Sequence, residues 1–296
     1  MSKHKIKIEL NAVIVTLNAN DPQILVESGS ALPSGPFETE HRTLEQGLRS
    51  WAGLPLGYVE QLYTFADKDR RKDDERVVSI GYLALVRSAS EQQKAVWSSW
   101  YRHFPWEDHR QGCPALIAKQ ILPALDKWAT GASDAATKRA RASRVAVAFS
   151  TEERRWNDEL VLQRYELLWE SGLVAESPFA KTRNGVELGV VMAHDHRRIV
   201  ATAMARLRAK IKYRPVVFEL MPDSFTLLQL QEGVEALAGL PLHKQNFRRL
   251  VESQGLVEET GAMTRAVAGR PAKLFAFRRE VLQERAAAGT KLPRAF

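Results

Sequence analysis

One cysteine, Cys113, stands in 296 residues. With no second thiol there is no intrachain disulfide. A fold stapled by disulfides is excluded, and a reducing cytoplasm is the expected setting. Long apolar runs are also missing. The longest, Val77 to Val86, is half of what a bilayer crossing needs, so it reads as a buried strand and no membrane partner is expected. Met1 to Lys7 carries charge with no apolar stretch behind it, so a signal peptide is not expected. Repeats and heptads are absent. What the chain does have is a normal globular hydrophobic share, 45%, and length enough for two domains.

The formal charge is +8 and the isoelectric point is near 9.6, a balance that suits a polyanionic partner without requiring one. Its distribution is uneven. Residues 1–137 are close to neutral at net −1, residues 138–214 carry net +7, and residues 215–296 carry net +2. The excess lies in the middle third, so helix layout and not total charge has to locate any nucleic-acid contact.

Along the chain, Ile6 to Leu17 and Gln23 to Glu27 read as strands around the turn Asn18 to Pro22. Leu32 to Pro36 reads as a loop. A helix from Thr43 places Leu44, Leu48, Trp51 and Ala52 on one face and stops at Gly53-Leu54-Pro55. Val59 to Phe65 and Arg76 to Arg87 read as strands around the charged loop Asp67 to Glu75. Helical stretches are expected over roughly 91–129 and 152–172. Between them lies the small-residue, basic stretch Gly131 to Ala148, a linker or partly helix. Glu187 to Ala193 reads as a strand. His196 to Lys212 reads as an amphipathic helix, with Ile199, Val200, Ala203, Leu207 and Ile211 on its apolar face. Arg197, Arg198, Arg206, Arg208 and Lys210 surround that face, a basic side that could meet phosphates.

Phe225 to Phe277 carries the sharpest pattern. A first helix runs to Ala238, Gly239-Leu240-Pro241 makes a tight turn, and a second helix begins near His243. A Gly-rich, basic, β-prone segment follows. Two short helices at a tight turn and then a hairpin form the layout of a winged helix-turn-helix, which inserts its second helix into the major groove of double-stranded DNA. Helical spacing puts Phe247, Leu250 and Val251 toward Leu227, Leu230 and Val234 of the first helix. His243, Lys244, Gln245 and Arg248 then face a groove, where Lys and Arg suit guanine and Gln suits adenine. Asn246 and Arg249 are either base contacts or internal caps and salt bridges. Arg265, Arg270 and Lys273 fall in the wing, where phosphate or minor-groove contact is usual. Thr226 either caps the first helix, offers its N–H groups to a phosphate, or does both.

Other constellations carry less. His194-Asp195-His196 lacks a third or fourth metal ligand, and hydrogen bonds at a strand-to-helix junction account for it better. His103 and His109 sit among Trp97, Trp100, Tyr101, Phe104 and Trp106, a pattern of an aromatic core more than of a base-stacking site. No catalytic residue and no metal ligand is expected.

The loop and helix from Gly35 lie where a Nudix enzyme carries its box, whose helix aims several carboxylates at Mg²⁺. The Glu expected six residues after Gly35 is His41. Arg49 falls at the Arg position, but Ser50 and Trp51 follow where a Glu should begin the metal cluster. Glu38, Glu40 and Glu45 lack the spacing to converge on one ion. The box therefore predicts a pocket that binds a nucleotide without cleaving it, or an unrelated α+β domain.

The whole layout resembles the Nudix-related transcriptional regulators of NAD metabolism, the NrtR family. The segments are Glu60 to Phe65, Arg76 to Tyr82, Asp195 to Ile199, Ala205 to Ile211, Phe225 to Gln231, Asn246 to Arg249 and Gly269 to Ala272. The longer, more helical stretch 91–175 looks like an insertion of the NadQ type. The resemblance implies an α+β chain. Residues 1–214 would form a degenerate Nudix fold that senses an adenine nucleotide, with a helical insertion at about 91–175. Residues 215–296 would form a winged helix. It further implies a homodimer that represses NAD-synthesis genes and is released by an adenine nucleotide, NAD or ATP before ADP-ribose, with no cofactor required. Arg49 and Arg76 could pair with nucleotide phosphates and Tyr63 could stack on a base, or the arginines make structural salt bridges. The alternative is a Nudix hydrolase acting on a nucleoside diphosphate derivative, its C-terminal module serving protein contact.

Overall fold

The computed structural model describes residues 6–27, 30–37, 40–66, 71–72, 75–87, 96–180, 188–264 and 271–280. Its first half is a mixed sheet. In chain order come β1 (Ile6–Asn18), β2 (Asp21–Val26), β3 (Ser34–Pro36), α1 (Leu44–Ala52), β4 (Val59–Phe65), β5 (Arg71–Lys72), β6 (Glu75–Leu85) and β7 (Val96–Ser99). The order across the sheet is β4-β6-β1-β2-β7, with β3 on β1 and β5 on β6. β1 and β6 run parallel in unbroken register from Ile6↔Arg76 to Val15↔Leu85. Leu10 to Thr16 of β1 and Gly81 to Leu85 of β6 are buried on both faces, which explains why these parts read as near-continuous runs with few charges. Leu10, Ala12, Ile14, Tyr82 and Ala84 pack beneath Leu48 and Ala52 of α1. Val13, Val15, Leu83 and Leu85 face the larger core on the other side.

That larger core is covered by the helices of the second half. These are α2 (Trp100–His103), a π turn at Ile117–Ile121, α3 (Leu122–Thr130), α4 (Ala135–Ala148), α5 (Val161–Glu170) and α6 (His196–Ile211). After a 3₁₀ turn at Val216–Glu219 come α7 (Leu227–Ala238), α8 (Lys244–Ser253), β8 (Val257–Met263) and β9 (Lys273–Phe277). The core cluster runs without a break from Val13 and Val15 through Ile199 and Leu207 to Leu230 and Leu237. The sheet, the middle helices and the C-terminal module thus share one interior.

Several expectations are corrected. Residues 96–99 are a strand and not helix, because Val26↔Val96 through Gln23↔Ser99 completes the sheet edge. Residues 152–160 are irregular, with turns at either end, and the helix there is only α5. The Leu32 to Pro36 loop includes the short strand β3, paired through Leu10↔Gly35. Of the strand expected at Glu187 to Ala193, the described residues 188–193 are irregular. Their amides bond singly to distant carbonyls, Val190 N–H to Arg102 (2.8 Å) and Ala193 N–H to Ser30 (3.2 Å). Gly189, at φ +77, breaks the extension, and a Cβ there would lie 2.7 Å from the Arg102 and His103 carbonyl oxygens.

Candidate nucleic-acid interface

Local sequence explains each part of the C-terminal module. The Thr226 side chain accepts from the Gln229 N–H (3.1 Å), and Gln229 accepts from the Thr226 N–H (2.8 Å). This capping box starts α7 and engages the threonine. Gly239, left-handed at φ 71, ends the helix. The turn is held from inside: the Glu235 carboxylate accepts from the Leu242 N–H (2.8 Å) and from the Gln231 amide (2.9 Å). Sequence reasoning missed both residues, although their i, i+4 spacing beside a Gly-Pro turn was the available signal. Phe225 bridges Phe275 through two backbone hydrogen bonds (3.0 and 2.8 Å), tying the start of α7 to the hairpin β8–β9.

α8 presents the face its spacing predicts, with one exception. Phe247 and Val251 are buried, while His243, Lys244, Gln245, Asn246, Arg248 and Arg249 are exposed. Leu250, expected in the core, is 53% exposed, because two apolar residues at i, i+4 already fill the seat against α7. Asn246 and Arg249 are exposed and form no side-chain hydrogen bond or ion pair among the described residues. Beside α8 lies an open groove of about 480 Å³, lined by Gln245, Arg248, Arg249, Glu252, Glu259 and Lys273 among others. Amide, guanidinium, ammonium and carboxylate groups thus converge on one concave surface. Lys273 is exposed and pairs with Glu259 at 2.8 Å. Arg265 and Arg270 lie outside the described residues.

The three residues expected at a nucleotide are not brought together. Arg49, on α1, donates to the Leu56 and Gly57 carbonyls and to Glu45. Arg76 lies on the α1 side of the sheet by the alternation of β6 and donates to the Ala66 carbonyl (2.9 Å). Tyr63 is 55% exposed on the opposite side, where the Arg206 guanidinium of α6 sits 5.9 Å from its ring centre.

The basic side of α6 is also corrected. Arg197, Arg208 and Lys210 are turned inward, whereas Arg198 and Arg206 stay partly exposed. Arg208 meets Glu107 (2.6 Å), Arg197 meets Glu176 (3.1 Å) and Lys210 meets Glu60 (2.6 Å), with Arg197 and Arg208 almost wholly buried. Burial pushes the Glu107 carboxyl up, but the Arg164 and Arg208 guanidiniums more than offset this and hold it below the usual range. His103 and His109 belong to the aromatic core; burial lowers both. His196 Nδ1 accepts from the Leu32 N–H (2.9 Å), a structural bond at the start of α6. Among the described residues no group of three or more His, Cys, Asp or Glu is placed to hold a metal ion. No described helix is long and apolar enough to cross a membrane.

The architecture is α+β, a Nudix-like sheet and helices joined to a winged helix. Residues 217–277 match the family model described as the NrtR DNA-binding winged helix domain. A curated relative from Acinetobacter baylyi, described as "ADPR responsive transcriptional repressor NtrR", is 40% identical over 86 residues, 29% of this chain; the match spans 34% of that relative's length. Crystal structures of Shewanella oneidensis NrtR, alone and complexed with a 27mer DNA, share the fold at 20% and 22% identity. Each match covers 93% of this chain and 95% of the other, with TM-scores of 0.54 and 0.52. A MutT/nudix family protein from Enterococcus faecalis matches at 16% identity over 93% of this chain and 89% of its own, with a TM-score of 0.51. Residues 217–277 are thus similar to the NrtR winged helix domain, and the fold of the chain is similar to that of the NrtR structures, in line with the motif resemblance.

Proposed function

We propose that this chain is a DNA-binding transcriptional repressor whose Nudix fold senses an adenine nucleotide. The observation that carries the reading is the exposed face of α8, where Lys244, Gln245, Arg248 and Arg249 have no ion pair among the described residues, the last three line a groove, and Phe247 and Val251 are the buried residues. The winged-helix match supports it. Asn246 and His243 extend the same face, and Lys273, Arg265 and Arg270 would supply the wing contacts. Thr226 would meet DNA only through the N–H end of the helix it caps. The chain acts as a homodimer on a palindromic operator, since one winged helix reads a half-site.

ADP-ribose leads the effectors, because the Acinetobacter baylyi relative is described as responding to it; NAD and ATP follow. Arg76, and Arg49 if it releases its carbonyl partners, would contact phosphates on the α1 side of the sheet. Tyr63 would belong to that site only if α6 and the β4 edge moved. The target genes proposed are those of NAD synthesis, in line with the motif resemblance. The Nudix box lacks its carboxylate pair, and Glu45 is occupied by Arg49 (2.9 Å), so the fold serves binding and not hydrolysis.

The test is selection of a site from a random duplex pool, then titration of the bound fraction with ADP-ribose, NAD and ATP at fixed salt. Release by any of them at millimolar levels or below is expected. No enrichment in the selection rejects DNA binding, and no release by any nucleotide rejects the sensor. Mg²⁺-dependent turnover of ADP-ribose at about 1 per second or faster, within the ordinary enzyme range, would favour the hydrolase.

A further inference from the structure

The last carbonyls of a helix have no partner inside it. At the end of α7 the carbonyls of Ala236, Leu237 and the cap residue Gly239 are taken by residues outside the winged helix. The Tyr101 hydroxyl donates to the Ala236 carbonyl at 2.7 Å, and Nε of Arg208 donates to the Leu237 carbonyl at 3.0 Å. The His109 backbone N–H donates to the Gly239 carbonyl at 2.7 Å. Gly239 is also pressed against the middle segment: a Cβ on it would lie 2.3 Å from the Glu107 carbonyl oxygen.

These partners are themselves fixed. One oxygen of the Glu107 carboxylate accepts from Arg208 (2.6 Å) and from Arg164 (2.8 Å); the other accepts from Arg164 (2.5 Å). All three side chains are fully buried. Arg208 also donates to the carbonyls of Asp158 (3.1 Å) and Glu107 (3.2 Å). The Arg164 guanidinium lies 3.9 Å from the Trp156 ring centre, and the Trp156 ring lies 3.9 Å from that of His109. The ring of contacts closes on the segment that grips Gly239.

We propose that Tyr101 and Arg208, the latter held by Glu107, are positioning residues for sequence-specific DNA binding, and that they act by fixing the α7–α8 turn from which α8 departs. The proposal rests on the reading that α8 contacts bases. Phe247 and Val251 are the buried residues of α8, so its seat on the module is small and the α7–α8 turn helps set its direction relative to the body. Base contacts need a site held to a fraction of an ångström, whereas phosphate contacts orient the protein and carry no sequence information directly. Loosening the turn should therefore erode discrimination between sequences and leave non-specific binding intact.

The experiment uses the full chain and two duplexes: the best site the unaltered protein selects from a random pool of about 30 base pairs, and a scrambled duplex of equal length and composition. Tyr101→Phe removes one hydroxyl at constant shape, and Arg208→Gln removes the grip on Leu237. For each variant that gives a cooperative thermal transition, affinity is measured on both duplexes across salt. The expected result is at least a tenfold fall in the specific-to-scrambled ratio, with the salt slope on the scrambled duplex unchanged. A purely structural role lowers the folded fraction and leaves the ratio alone, and an unchanged ratio overturns the proposal. If Arg208→Gln does not fold, Tyr101→Phe decides. Arg248→Ala is the control. A lowered ratio there with an unchanged one in Tyr101→Phe rejects positioning alone. An unchanged ratio in Arg248→Ala rejects base reading by α8, and the positioning proposal falls with it.

Discussion

At the scale of the residue, the chain separates two uses of arginine. Arg248 and Arg249 are exposed on α8 without ion pairs among the described residues, while Arg164, Arg197 and Arg208 are sealed in the interior against carboxylates. The two classes should respond differently to replacement. Arg248→Ala and Lys244→Ala should each cost about 1–3 kcal/mol on the selected site if the side chain contacts a base, with no loss of thermal stability. Unchanged affinity in both would remove α8 from the interface. Glu107→Gln should instead destabilise the fold, because it leaves two buried guanidiniums without their counter-charge. Breaking such a buried pair costs about 3–5 kcal/mol. Urea denaturation should show the midpoint falling with little change in slope; a midpoint within error of the parent would show that water or another group compensates the arginines.

At the scale of the element, α7 and α8 hold together through few contacts, so their truncations should be conspicuous. Phe247→Ala removes the larger of the two buried residues on α8 and should cost about 3–5 kcal/mol. Thr226→Ala removes a cap that accepts from Gln229 N–H and should cost about 0.5–2 kcal/mol. Melting temperatures of the two variants should rank in that order, and a larger loss for the cap would mean that the start of α7 also supports the wing. These elements were legible in sequence because their signals are local. Thr226 and Gln229 stand three apart, Gly239 ends the helix, and Phe247 and Val251 share a face. β1 and β6 declared themselves by β-branched content. The middle segment did not, because its order comes from partners far away in the chain. Arg208 looks like a solvent-facing charge until Glu107, 101 residues earlier, is folded against it. Tyr63 could be grouped with Arg49 and Arg76 on paper because sequence does not show that a strand edge beside α6 faces away from α1.

At the scale of the whole molecule, acid should act in two stages. His103 and His109 are buried and held below the ordinary histidine value, so the folded chain binds fewer protons there than the unfolded chain does. Their contribution is complete above the unfolded value, about pH 6.5, and is lost as pH falls from there through their depressed folded values. Glu107 and Asp108, also held low, add a second loss that begins as pH falls through the ordinary carboxylate range near 4. Unfolding free energy measured against pH should therefore decline from about 6.5 downward and steepen near 4; a flat profile between 6 and 5 would mean the two imidazoles are protonated inside the fold.

The carbonyls of Ala236, Leu237 and Gly239 have their donors in Tyr101, Arg208 and His109, and the apolar interior crosses from the sheet into α7 without a seam. A module joined in this way is not freely interchangeable. A winged helix grafted from a relative onto residues 1–214 would arrive without its matching socket, and this winged helix moved elsewhere would leave its own socket behind. If α8 reads bases as proposed, a change of sequence preference should be reached more readily by substituting side chains on its outer face than by exchanging the module. A chimera would recover function only if the socket residues travelled with the helix they hold.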